Sequence, residues 1–105
     1  MDPAFVIISH DSVPAVRDCI RTARGSFPQS EIVVVDQSGD RCALAIRDEF
    51  NDIRLLEAAA GRTIDWLVDV GRQSLHTTEE PFLIHVSRRF GVRTVYQENR
   101  IWRLS

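Results

Sequence analysis

The sequence predicts one α/β domain over residues 1–105, with a β-α-β-α-β-α-β run in residues 1–90 that lays helices on a mostly parallel sheet. Three observations predict it. Short apolar runs of strand length recur at 5–9, 31–36 and 82–86, and they are too continuous for a sheet with one wet face. Between them, apolar residues recur at helical spacing. Turn and breaker residues separate the two patterns, at Gly25, at Gln37-Ser38-Gly39-Asp40, at Gly61 and at Pro81.

The elements follow in order. Phe5-Val-Ile-Ile-Ser9 reads as a central strand covered on both faces. Asp11 or Ser12 can cap the helix after it and Pro14 suits its first turn; Val13, Val16, Ile20 and Ala23 share its core face before Gly25 stops it. Glu31-Ile-Val-Val-Val-Asp36 carries the strongest strand signal, and the turn at 37–40 leads into a second helix ending near Phe50. Ile53 to Glu57 make a short third strand. Gly61 precedes a third helix in which Ile64, Leu67, Val68, Gly71 and Leu75 form one face. Pro81 breaks that pattern, Phe82 to Val86 form a fourth buried strand, and a hairpin is expected over 92–97 and 100–104 around Glu98-Asn99.

A chain of 105 residues can bury about two-thirds of the surface its unfolded form exposes, enough for a core without staples. Cys19 and Cys42 sit in helical patterns beside apolar residues, outside any C-x-x-C or Cys/His spacing, and read as reduced, buried thiols. No stretch has the roughly 18 to 20 apolar residues of a membrane span, and the Met-Asp-Pro-Ala start lacks the basic region of a signal peptide. The expectation is a cytoplasmic protein without a membrane partner.

All 13 basic residues are arginine. The lack of lysine excludes a P-loop and Schiff-base catalysis from this chain, since each needs a lysine amine. It also argues against a phosphorelay receiver domain, a small α/β fold that relies on a lysine after a late strand. The formal net charge of −2 is unevenly spread: residues 1–80 hold fourteen acids and eight arginines, residues 81–105 five arginines and Glu98 alone. Such a basic tail suits phosphates or an acidic partner, and equally a solvated strand face. It lacks the aromatic series that stacks on single-stranded nucleic acid, which argues against a nucleic-acid role.

Parallel sheets bind ligands beyond the carboxyl ends of their strands. The candidate ligand residues are therefore Ser9, His10 and Asp11 after strand one; Asp36, Ser38 and Asp40 after strand two; Arg62 after strand three; and Arg88 and Arg89 after strand four. The five glycines lie far apart, so the G-x-G-x-x-G dinucleotide fingerprint is absent. No serine stands in a G-x-S-x-G elbow. His10, His76 and His85 lack metal-ligand spacing; His85 reads as a core histidine, and His10 is the one placed to act as an acid or base.

Ile8-Ser9-His10-Asp11 and Val33-Val34-Val35-Asp36-Gln37-Ser38-Gly39-Asp40 resemble the strand-one and strand-two ends of family-2 (GT-A) glycosyltransferases, Val-Ser-His/Tyr-Asn and Val-Val-Val-Asp-Asn-x-Ser-x-Asp. The resemblance spans residues 4–89, the nucleotide-binding half of that family, and implies a three-layer, Rossmann-like sheet. It would give Asp36 a hydrogen bond to the base or sugar of a nucleotide-sugar. The same aspartates, Asp36 and Asp40, equally serve to close the turn and cap the next helix.

The family places an acidic Asp-x-Asp after strand four to hold a divalent metal. This chain has Ser87-Arg88-Arg89 there, and guanidinium groups repel the cation that carboxylates would bind. No metal or cofactor is expected. Residues 90–105 offer no counterpart to the family's acceptor-binding half and its catalytic base, so a truncated domain is expected. Two functions remain open. One is a non-catalytic binding, accessory or self-associating module, with a protein partner or a homodimer, its edge covered by Ile101, Trp102 and Leu104. The other is an enzyme or sensor that binds a nucleotide or nucleotide-sugar without metal, through Asp11, Asp36, Arg62, Arg88 and Arg89, whose forked donors match phosphate oxygens.

Overall fold

The computed structural model describes residues 2–9, 13–37, 40–59, 61–86, 93–97 and 100–104, with 40–43 and the last two segments described by backbone alone. Four strands, β1 (Phe5–Ser9), β2 (Ile32–Asp36), β3 (Arg54–Glu57) and β4 (Phe82–Val86), alternate with three helices, α1 (Val13–Ser26), α2 (Asp40–Glu49) and α3 (Ile64–Gln73). The strands are parallel and ordered β3-β2-β1-β4, an arrangement compatible with a Rossmann-like fold. The hairpin expected over 92–104 turns at Glu98-Asn99, outside the described residues.

β1 and β2 are buried along their whole length because each has a strand on either side and a helix layer on either face. Side chains alternate between those layers. Phe5, Ile7, Ile32, Val34, Ile84 and Val86 face α1 and α2, where Val16, Cys19, Ile20, Ala23 and Ile46 meet them. Val6, Ile8, Val33, Val35 and Leu83 face α3 and Leu67, with Ile64, Val68 and Leu75 partly buried against them. β1-α1-β2-α2-β3 winds one way across the sheet and α3 carries the chain back to β4 beside β1. The winding therefore reverses between β1 and β4.

α1 continues one residue beyond Gly25, and the Phe27 N–H still bonds the Ala23 carbonyl at 2.7 Å. Glycine weakens a helix without forbidding it, whereas Pro28 has no N–H to continue the ladder; the stop comes from the proline. Phe5 stacks on Phe82 with ring centroids 5.4 Å apart and closes the amino end of the sheet. Arg17 and Arg21 pair with Glu49, and Arg24 with Asp52, tying α1 to the end of α2. As solvent-facing pairs they contribute little to stability. Among the described residues no helix is long and apolar enough to cross a membrane.

Candidate functional site at the carboxyl end of the sheet

The parallel registers place the strand-end residues side by side. Ser9 lies beside Asp36 on one side and Val86 on the other, and Asp36 lies beside Glu57. Ser9 and Asp36 follow the alternation of Ile7 and Val34, so both face the α1 and α2 layer. Both are buried, Ser9 at 0% and Asp36 at 1% exposure, and neither is without a partner. α2 begins at Asp40, four residues beyond Asp36, so its amino terminus lies over this end of the sheet. A helix amino terminus favours a carboxyl group near it.

Main-chain bonds continue the ladder past the strand ends. The Gln37 N–H donates to the Ser9 carbonyl at 2.9 Å and the Ala58 N–H to the Asp36 carbonyl at 2.8 Å. The Gln37 side chain then crosses to the β3–α3 loop, where Nε2 donates to the carbonyls of Arg62 at 3.2 Å and Ala59 at 3.4 Å. Gly61 turns that loop with φ +89°, a left-handed conformation that glycine adopts without steric cost. Thr63 caps α3, its Oγ1 accepting from the Trp66 N–H at 3.2 Å. The Arg62 guanidinium lies 4.7 Å from the centroid of the exposed Trp66 ring, a cation–π contact.

Of the residues expected here, Ser9 and Asp36 come together in the interior and Arg62 stands outside at the foot of α3. Asp40 opens α2, its side chain outside the described residues; His10, Asp11, Ser38, Arg88 and Arg89 also lie outside them. Gln37, itself a strand-end residue, and Trp66, which strand-end reasoning passed over, stand beside these residues. Trp66 had a sequence signal, an arginine one helical turn before it, while the reach of Gln37 to a loop 25 residues away had none. His85 is half-buried and has a partner. Among the described residues no group of three or more His, Cys, Asp or Glu is gathered as a metal site.

A second polar cluster lies at the opposite, amino end. Glu31 accepts from the His76 N–H at 2.9 Å and from the His76 ring Nδ1 at 2.6 Å, and Arg54 Nη2 stands 3.3 Å from the other ring nitrogen. Arg54 also donates to the Ser74 carbonyl. Burial pushes the Glu31 carboxyl up, but the His76 N–H, the His76 ring and the Thr77 N–H outweigh it and hold the group below its ordinary value. A lowered folded-state value adds stability that is complete above the unfolded carboxylate range and is lost as pH falls through the folded value. In acid titrations followed by circular dichroism, wild type is expected to lose stability relative to Glu31→Gln as pH drops below about 4.3. Parallel curves would show that Glu31 gains nothing on folding.

No protein-family model matches this chain, and no curated protein shows significant similarity to it.

Proposed function

We propose that the chain is a glycosyltransferase-like domain of the GT-A kind that acts without catalysis, as a binding, accessory or self-associating module. The observation that carries this reading is the depth of Asp36: at 1% exposure it is sunk into the strand end, which supports a part in packing over one in holding a diffusing ligand. The strand-end motifs support the family likeness, and Arg88 and Arg89, at positions where that family holds a metal with acids, support the loss of its chemistry. The proposal includes a C-terminal hairpin that extends the sheet beyond β4. Its support is the antiparallel register of Leu83 with Tyr96 and of Val95 with Trp102. It also places the protein in the cytoplasm, on the reduced state read for its two cysteines, of which Cys19 is a buried thiol in no disulfide.

The test is titration calorimetry with uridine, guanosine, thymidine and adenosine diphosphates, each with and without manganese. No heat of binding is expected at millimolar nucleotide. Metal-independent binding that disappears in Asp36→Ala would overturn the reading in favour of a nucleotide-binding enzyme or sensor. Arg62, beside the exposed Trp66 ring, supports that second reading, because an arginine next to an aromatic face suits a phosphate and a stacked base.

A further inference from the structure

β3 is at one edge of the sheet, and an edge strand presents a row of main-chain N–H and C=O groups that a further strand can join. Natural edges are blunted by covering elements or by charges directed at the strand. Here β3 carries a charge only at each end, Arg54 and Glu57, with Leu55 and Leu56 between them. A groove of ≈ 420 Å³ runs along β3 between α2 and α3, lined by Leu44, Arg47, Leu55, Leu56, Glu57 and Val70. Two large apolar side chains are exposed among the described residues, Leu44 at 46% and Trp66 at 39%. Leu44 lines this groove, and Trp66 stands one helical turn from Val70 on the same stripe of α3. Exposed apolar surface gathered along one open edge marks an interaction site.

The charges on the groove select the occupant. Arg47 is in the last turn of α2, which leads into the amino end of β3, while Glu57 is the last residue of β3. Glu57 lies beside Asp36 in register and so points to the α2 face of the sheet, the face that carries Arg47. Among the described residues neither Arg47 nor Glu57 makes an ion pair, whereas Arg17, Arg21, Arg24 and Arg72 all do. Among the described residues, one positive and one negative group that make no ion pair thus occupy opposite ends of a single open strand, on one face.

A two-fold axis normal to the sheet pairs β3 antiparallel with its own copy, keeps each face on its own side, and exchanges the two ends. It brings Glu57 of the second copy to Arg47 and Arg47 of the second copy to Glu57. In such a pair Leu44 and Leu55 of both copies lie between these two charge pairs on the α2 face, and Leu56 and Val70 on the α3 face. We infer that the β3 edge is the surface through which two copies of this chain associate, as an isologous dimer with one sheet continuous across the two-fold. The inference rests on the self-associating reading proposed above and names its partner.

Sedimentation velocity of the purified chain at micromolar concentrations tests it. Wild type is expected to be a dimer. Glu57→Arg and Arg47→Glu are each expected to weaken association on the order of tenfold or more, since each reversal occurs twice in the symmetric dimer and sets like charges face to face. The double variant R47E/E57R restores opposite charges at both positions and is expected to dimerise again, a rescue that a misfolded or generally weakened chain would not show. A monomeric wild type overturns the inference, as does a dimer that the single reversals leave unchanged. Nucleotide calorimetry on the same samples separates the two levels. A monomer that binds no nucleotide ends the dimer edge and leaves the accessory reading standing, whereas nucleotide binding lost in Asp36→Ala ends the reading itself.

Discussion

Gly71→Ala is expected to lower the free energy of unfolding by about 1–3 kcal/mol, the usual cost of forcing extra carbon into a packed interior. Two effects oppose each other at this position. Alanine is favoured over glycine in a helix interior by about 1 kcal/mol, and that gain would prevail on an open face. Gly71 is buried, however, and a Cβ there would stand 2.4 Å from Val6 Cγ1 and 3.3 Å from Val35 Cγ2. Val6 is at 0% exposure in the central strand β1, with neighbours on both sides that prevent it from yielding. Crowding therefore prevails, and Gly71→Val, with two further carbons, is expected to cost more. Urea denaturation checks the sign. Val6→Ala removes the obstructing methyl groups, so the double variant V6A/G71A is expected to be more stable than the sum of its two changes.

Asp36→Ala is expected to destabilise the chain by about 1–3 kcal/mol, the cost of leaving buried hydrogen-bonding partners unsatisfied. Burying a carboxyl group is unfavourable unless the interior supplies such partners. Asp36 is not without a partner, sits beside the equally buried Ser9, and lies where the amino terminus of α2 begins. Asp36→Asn preserves shape and part of the hydrogen-bonding capacity and is expected to cost less than the alanine. A residue whose work is to hold a ligand behaves differently, because binding groups are commonly kept at the expense of stability and their removal is neutral or stabilising.

The parallel part of the fold was legible because its signals are local. Phe5–Ser9, Ile32–Asp36 and Phe82–Val86 are apolar at every position or nearly so, which only a strand covered on both faces requires. The α3 face of Ile64, Leu67, Val68, Gly71 and Leu75 was legible from its spacing. The depth of that packing was not, since the approach of Gly71 to Val6 joins residues 65 positions apart.

The candidate site was legible only in outline. Pattern places Ser9 and Asp36 at strand ends but does not say how far each is sunk. That depth depends on the register of β1 with β2 and on which helix layer the last residue of each strand faces. The same limit hid the edge position of β3. Its Arg-Leu-Leu-Glu sequence fits an inner or an outer strand equally well, and only the crossover of α3 back to β4 leaves it at the margin.

Urea denaturation of wild type and Asp36→Ala, each with and without millimolar uridine diphosphate, tests most directly whether this carboxyl group belongs to the architecture or to a ligand. A lower unfolding midpoint for the variant, by the same margin in both conditions, is the result expected of an internal anchor. A variant as stable as wild type without nucleotide, together with a wild type that nucleotide stabilises and a variant that it does not, would contradict it.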